Sequence, residues 1–172
     1  GSVQRHRMLA SWLNRRGLLD GRPTTLMEVG PKPCVMRWCR EQAGVQYVGL
    51  DLDSPCASIR SDLTSLGVAT DSLDLILCFH VLEHIPDDDA AARELARCVR
   101  QGGRLVVSVP RPPAPFDPNH VREGYALPEL SALLGRHGFQ VVASGECMSL
   151  WMTWLLRAWR WQYLLEPLGQ AP

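Results

Sequence analysis

Two strand ends in this chain carry residues suited to binding a nucleotide. Glu28-Val29-Gly30 closes one apolar run, and Gly49-Leu50-Asp51 closes the next, about twenty residues later. This spacing is typical of nucleotide-binding folds, in which a turn faces the ligand and an acid follows it. One carboxylate can accept hydrogen bonds from both hydroxyls of a ribose. Asp62, after a further short apolar run, is a candidate acceptor for the amino group of a base.

The segment His80-Val81-Leu82-Glu83-His84 has the HxxEH spelling of a zinc peptidase. That chemistry requires a helix presenting both imidazoles on one face, with a further acidic ligand downstream. Here the spelling starts at the end of an apolar strand, so we expect no metal. His84 is predicted to act as a catalytic base or to make a structural hydrogen bond at the start of the next helix.

A second histidine with chemical potential, His120, lies at the end of the Pro-rich loop 112–120. An imidazole that titrates near neutrality can deprotonate an acceptor hydroxyl. The alternative is a histidine that orders the loop. Arg122 either binds an anionic substrate group or is a solvated surface residue.

These residues depend on a βαβ unit predicted for Asp71–Pro110. Leu73–Phe79 and Leu105–Val109 are apolar without alternation, which is typical of strands covered on both faces. The helix between them begins at the acidic triplet Asp87-Asp88-Asp89, where negative charge is favourable, and ends before Gly102-Gly103.

The remaining elements extend this unit into one α/β domain over residues 3–146. Predicted strands are Thr24–Val29, Tyr47–Asp51, Ile59–Asp62 and Phe139–Ser144, and predicted helices are 4–19, Cys34–Gln42 and Leu127–His137. The alternation predicts a doubly wound, mostly parallel sheet flanked by helices, with ligands at the carboxyl ends of its strands. We expect the chain to end before the usual last strand, as a fragment of a longer protein would.

Residues 147–172 form a separate Trp-rich segment. Ser149–Leu165 contains Trp151, Trp154, Trp159 and Trp161 and is predicted to be helical. Apolar residues cover most of its circumference, which favours packing on the sheet, on a twin subunit or on a membrane surface. It is too short and too interrupted by arginine to span a membrane.

Composition limits the partners and the compartment. The net charge is zero, with 18 basic and 18 acidic residues, which argues against nucleic acid as a partner. The six cysteines form no CxxC pair, and no signal peptide is recognisable, so we expect a reduced, cytoplasmic protein. Gly1-Ser2 is interpreted as a tag remnant.

From about Thr24 to Val142 the chain resembles the class I S-adenosylmethionine-dependent methyltransferases. Residues 72–110 are similar to the region after strand three of the small-molecule enzymes, and Asn119–Tyr125 with LPELSALLGRHGFQVV to their downstream helix and strand. The resemblance implies a Rossmann-like fold and methyl transfer to an oxygen or nitrogen of a small-molecule acceptor. S-adenosylmethionine would be the cofactor and S-adenosylhomocysteine the product.

The resemblance also implies a role for each matching position. The first motif, with Glu28, Gly30 and Pro31, borders the amino acid part of the cofactor, and Asp51 binds the ribose hydroxyls. The other positions lie at the adenine (Leu52, Asp62 and Leu63) or close over the methionine end (Phe79 and His80). His120 and His84 are the candidate bases on the acceptor side.

One departure from the family lies in the first motif, which usually reads acid-x-Gly-x-Gly-x-Gly. This chain keeps only Gly30 of the three glycines, in Gly30-Pro31-Lys32-Pro33-Cys34. The prolines remove backbone donors, and Lys32 places a cation near the cofactor's sulfonium. We therefore expect altered or weakened cofactor binding. The alternative function is a catalytically inactive methyltransferase-like domain that serves as a binding or scaffold module.

Overall fold

The computed structural model describes residues 3–112, 117–146 and 162–168. A seven-stranded sheet runs through these residues in the order β3-β2-β1-β4-β5-β7-β6. The strands are β1 Thr24–Val29, β2 Val45–Asp51, β3 Ile59–Arg60, β4 Leu73–Phe79, β5 Val99–Pro110, β6 Gln140–Glu146 and β7 Gln162–Leu168. Strands β1 to β5 are parallel, whereas β7 is antiparallel to both of its neighbours. The predicted doubly wound, mostly parallel sheet is confirmed.

Helices cover both faces of this sheet. They are α1 Val3–Arg15, α2 Pro33–Arg40, α3 Asp88–Cys98 and α4 Leu127–Arg136, with a short 3-10 helix at Leu82–His84. Strand β4 alternates between two buried clusters: Leu75 and Leu77 pack with α1 and α2, whereas Ile76 and Cys78 pack with α3 and α4. Across the described part of the chain, every helix is too short or too polar to cross a membrane.

The βαβ unit has the predicted architecture. Strand β4 has the predicted bounds, and the Asp87 carboxylate caps α3 by accepting a hydrogen bond from the Ala90 N–H at 2.9 Å. The start of β5 differs, because the chain becomes extended directly after Cys98 and continues through the glycine pair. A Cβ on Gly103 would lie 2.9 Å from the Arg100 carbonyl oxygen, so this glycine permits a close backbone approach within the strand.

The end of the chain and strand β3 also depart from expectation. Gln162–Leu168 enters the sheet as β7 between β5 and β6, where we expected the chain to end without a further strand. Short apolar runs have no period that separates helix from strand, which explains the helix predicted as far as Leu165. The rest of that prediction, residues 149–161, lies outside the described residues. Strand β3 is two residues long and ends before Asp62.

Candidate functional site

The carboxyl ends of β1, β2 and β4 meet at Gly30. Its φ is +67°, a conformation that favours glycine, and its N–H donates to the Leu50 carbonyl at 2.9 Å. A Cβ on Gly30 would lie 3.1 Å from Val81 Cγ2 and 4.0 Å from Asp51 Oδ2. The single glycine kept from the family motif therefore stands where the backbone requires one, at the edge of the sheet where ligands of such folds bind.

Asp51 presents one oriented carboxylate oxygen at this edge. Its Oδ1 accepts hydrogen bonds from the backbone N–H groups of Asp53 and Ser54, both at 2.9 Å. Among the described residues, Oδ2 has no hydrogen-bond partner. The neighbouring Leu52 is 57% exposed, which leaves an apolar side chain beside the carboxylate. This arrangement suits a ribose bound at Oδ2 with a base against Leu52.

Glu28 stabilises the turn that follows β1 by accepting a hydrogen bond from it. Its carboxylate is buried, with Oε2 accepting from the Tyr47 hydroxyl at 2.6 Å and Oε1 from the Lys32 N–H at 3.0 Å. Burial raises the pKa of Glu28 from 4.5 to about 7, although both donors favour the charged form. Because both of its carboxylate oxygens accept hydrogen bonds within the protein, Glu28 influences a ligand through the shape of the turn.

The turn itself, Gly30 to Pro33, offers a ligand no free backbone N–H. Gly30 donates to Leu50, Lys32 donates to Glu28, and the two prolines have no N–H. Pro31 is buried against Gly49, and Lys32 has an ordinary extended backbone with φ −108° and ψ 135°. The chain thus needs no second glycine here. The Asp51 side of the site fits the adenosine half of the cofactor, whereas this turn cannot bind its carboxylate through amides.

Three other predicted site residues differ in accessibility. Asp62 is exposed, and its Oδ1 accepts from the N–H and the hydroxyl of Thr64, both at 2.8 Å. The Thr64 N–H is the main cause that lowers the pKa of Asp62. Leu63 is buried in the core, and Phe79 packs against the cluster on the α1 and α2 face. Asp62 is therefore the accessible member of this group.

His80 directly follows β4 and lies in the left-handed region, with a φ of +53°. Its N–H donates to the Ser108 carbonyl at 2.8 Å, its Nδ1 lies 3.1 Å from Glu83 Oε1, and its Nε2 lies 3.2 Å from Ser108 Oγ. The helix required by a zinc-peptidase motif does not form over His80–His84. Sequence reasoning missed Ser108, although it is the one polar residue in the run Leu105–Val109.

The two candidate bases, His84 and His120, are in contact. Their ring centroids are 4.5 Å apart and the rings are nearly perpendicular, at 80°. His84 Nδ1 hydrogen-bonds the Asn119 carbonyl at 2.9 Å, and the Val121 N–H donates to the Glu83 carbonyl at 3.0 Å. The loop after β5 therefore lies on the 3-10 helix after β4 and brings Glu83, His84 and His120 together.

Arg122 holds this loop in place. Its guanidinium donates to Asp88 Oδ2 at 2.6 Å and lies 5.1 Å from the Tyr125 ring centroid. The buried Tyr125 hydroxyl also donates to Asp88 Oδ2, at 2.8 Å. A Cβ on Gly124 would overlap the Pro110 carbonyl oxygen, so only glycine fits there. Arg122 is thus an anchor of the loop, and neither of the roles predicted for it describes its contacts.

The family model described as a methyltransferase domain matches residues 3–163. A ubiquinone biosynthesis O-methyltransferase of Pseudomonas paraeruginosa is 27% identical over 114 residues, which are 57% of this chain and 48% of that protein. An uncharacterized methyltransferase of Mycobacterium ulcerans is 32% identical over 111 residues, 56% of this chain and 43% of that protein. The matched part of the chain spans about half or less of the length of these curated relatives.

A solved structure supports the same fold. The 1,6-didemethyltoxoflavin-N1-methyltransferase of Burkholderia thailandensis, with bound 1,6-didemethyltoxoflavin and S-adenosylhomocysteine, superposes with a TM-score of 0.76 and 17% identity. The superposition covers 98% of this chain and 79% of that one. Because the family model extends over nearly the whole described fold, this chain belongs to the family of S-adenosylmethionine-dependent methyltransferase domains.

Proposed function

We propose that this chain transfers the methyl group of S-adenosylmethionine to an oxygen or nitrogen of a small-molecule acceptor. The observation that carries the proposal is the Asp51 carboxylate, which directs Oδ2 toward Gly30 at the carboxyl edge of the sheet. When bound, the cofactor supplies a methyl group on positively charged sulfur, and S-adenosylhomocysteine is the product. The protein's contribution is mainly to position the acceptor in line with that methyl group.

The adenosine half is the better supported part of the proposed site. Two backbone N–H groups hold Asp51 Oδ1, so Oδ2 is oriented before any ligand arrives. In this proposal Oδ2 accepts hydrogen bonds from the ribose hydroxyls and Leu52 packs against the adenine. The methionine carboxylate needs a donor other than the turn amides, because the N–H groups of Gly30 and Lys32 are already engaged and the two prolines have none.

Support for the acceptor comes from the relatives and from charge. The Pseudomonas relative is named as an O-methyltransferase, which favours an oxygen acceptor. A net charge of zero favours a small molecule over a nucleic acid. That His120 or His84 accepts the proton from the acceptor stays a prediction.

Calorimetric titration with S-adenosylmethionine and S-adenosylhomocysteine tests the cofactor site. We expect micromolar binding that Asp51→Ala weakens on the order of 10- to 100-fold, as for the loss of charge-assisted hydrogen bonds. Asp51→Asn keeps an acceptor for the two backbone N–H groups and removes only the charge. The loss of affinity in this variant therefore measures the contact between the Asp51 carboxylate and the ligand. Asp53→Ala is the matched control, because that exposed side chain has no hydrogen bond or ion pair with the described residues and its N–H is retained.

Two results would contradict the proposal. Absence of binding at millimolar ligand would favour the scaffold alternative, which no described contact supports. An equal loss of affinity in Asp53→Ala and Asp51→Ala would show that a general change in the loop, and not the Asp51 carboxylate, controls binding.

A further inference from the structure

We propose that Glu83, His84 and His120 bind a divalent transition-metal ion. One possible ligand atom from each of the three side chains lies within 4.8 Å of the others. Glu83 and His84 belong to the 3-10 helix after β4, and His120 comes from the loop after β5. We expected no metal at the HxxEH spelling, because it starts at the end of a strand. The structure uses a different pair of histidines from the one that spelling would require.

Two atoms that could serve as ligands are buried without a hydrogen-bond partner in the described structure. They are Glu83 Oε2 and His120 Nδ1. The Glu83 side chain is 0% exposed and the His120 side chain is 10% exposed. The contact between Glu83 and His80 engages only the other carboxylate oxygen, Oε1. A buried carboxylate oxygen without a donor is costly, and a bound cation would remove that cost.

The acceptor groups beside the two imidazoles favour tautomers that leave one ring nitrogen of each unprotonated, through a hydrogen bond at His84 and a longer contact at His120. His84 Nδ1 faces the Asn119 carbonyl, which can only accept, so Nδ1 carries the hydrogen and Nε2 keeps its lone pair. His120 Nε2 lies 3.7 Å from Asp117 Oδ2, which favours the hydrogen on Nε2 and leaves Nδ1 available. Metal-binding histidines in proteins are commonly oriented by carbonyl and carboxylate groups in this way.

The protein positions the three ligands without help from an ion. The Val121 N–H donates to the Glu83 carbonyl. This hydrogen bond holds the loop at His120 against the 3-10 helix that carries Glu83 and His84. Arg122 extends the attachment by donating to Asp88 on α3. Such preorganisation keeps the ligand atoms close in the metal-free protein, so an ion requires only a small further approach.

The donor set selects the class of ion. Two imidazoles and one carboxylate suit Zn²⁺, Co²⁺, Ni²⁺ or Fe²⁺, whereas Mg²⁺ and Ca²⁺ prefer oxygen ligands. Three protein ligands leave a coordination position open, which is typical of catalytic rather than structural zinc. As ligands, His84 and His120 would bind through neutral imidazoles, and neither would then be the predicted base.

Metal binding to the full chain, freed of metal with chelator and carrying no polyhistidine tag, tests the proposal. Zn²⁺ is titrated calorimetrically and Co²⁺ by visible absorption, both without S-adenosylmethionine, so the result does not depend on methyl transfer. We expect one Zn²⁺ per chain, much weaker Mg²⁺ binding, and a Co²⁺ spectrum without a thiolate charge-transfer band. Failure here would leave the proposed cofactor site untouched.

Variants assign the ligands. Asp117→Asn, which removes only the charge behind His120, should weaken Zn²⁺ binding on the order of 10- to 100-fold, and Glu83→Gln and His120→Asn should weaken it further. Two matched controls should bind Zn²⁺ like the wild type. In His137→Asn the lost imidazole is one that pairs with Asp89 elsewhere, and in Cys34→Ser the lost group is an exposed thiol.

Thermal unfolding keeps the test valid for variants that fold less well. Zn²⁺ should raise the Tm of the wild type and leave the Tm of Glu83→Gln unchanged, because an ion stabilises only a fold that binds it. An equal rise in both proteins would overturn the proposal. So would the absence of saturable Zn²⁺ binding, or binding that is lost in Cys34→Ser and retained in His120→Asn.

Discussion

Two stretches at the carboxyl edge of the same sheet differ in whether their polar groups have hydrogen-bond partners. In the turn after β1, both oxygens of Glu28 and the N–H groups of Gly30 and Lys32 are engaged within the protein. In the segment after β4, Glu83 Oε2 and the nearby His120 Nδ1 are buried without a partner among the described residues.

This difference indicates where ligand contacts concentrate. A turn whose polar groups are satisfied internally contributes shape, and its prolines make that shape stiff. Buried polar atoms without partners are costly in a folded protein and often mark a bound ion or a catalytic role. The glycine-poor turn therefore serves as a scaffold beside Asp51. The cluster of Glu83, His84 and His120, in contrast, keeps two buried atoms that could still bind a ligand.

The largest effect is expected from a substitution that disrupts the packing of the loop that carries His120. Gly124→Ala should destabilise the fold by roughly 2–5 kcal/mol, because φ is +136° and the new Cβ would overlap the Pro110 carbonyl oxygen. Urea unfolding measures the change. Gly135→Ala in α4 is the control, since its Cβ would meet nothing within 4 Å and should be neutral or slightly stabilising. Equal stabilities for the two variants would contradict the close approach.

The second prediction concerns the pH dependence of the turn. Because the pKa of Glu28 is raised from 4.5 to about 7, the folded state holds a proton that the unfolded state loses between these values. The contribution of Glu28 is complete below pH 4.5 and falls by about 3 kcal/mol as the pH rises through 7. Glu28→Gln removes this fall.

Urea unfolding at pH 5 and pH 8 measures that difference. The exposed Glu41 offers a control, since Glu41→Gln should follow the wild type at both pH values. Parallel stability profiles for the wild type and Glu28→Gln would show that Glu28 ionises normally in the folded protein.

A smaller effect compares two tyrosines, Tyr47 and Tyr125, each of which donates a hydrogen bond to a carboxylate near one of the two stretches. Tyr47→Phe removes a donor from the buried Glu28 carboxylate and should cost about 1.5–3 kcal/mol at pH 8, where Glu28 is charged. Tyr125→Phe should cost only about 1 kcal/mol, because Arg122 still donates to Asp88. Unfolding of the two variants side by side checks the order, and a greater loss in Tyr125→Phe would reverse the comparison.

The smallest effect concerns the composition of the turn. Lys32→Gly combined with Pro33→Thr adds an N–H and space, and should tighten S-adenosylhomocysteine binding about threefold to tenfold, or about 1 kcal/mol. Calorimetry measures it, with Pro128→Thr in α4 as a proline control remote from this edge. Unchanged affinity would show that the lost glycines do not limit cofactor binding.

Local patterns predicted much of the framework. Strands β1 and β4 have the bounds read from their apolar runs, and α4 ends one residue before the predicted end. Local patterns failed where long-range pairing decides the structure. Val99 continues into a strand across the glycine pair, and the strand Gln162–Leu168 begins inside a run predicted as helix as far as Leu165. In both places the neighbouring strand supplies hydrogen bonds that no local period reveals.

The candidate site divides along the same line. The sequence by itself determined the α/β order, the glycine at Gly30 and the acid at Asp51, because each follows from short-range spacing along consecutive elements. Only the tertiary structure decided that Glu28 engages Tyr47 and that His120 reaches Glu83 and His84. Those meetings depend on how a loop after one strand packs on the segment after another, and contacts between distant parts of the chain leave no periodic pattern in it.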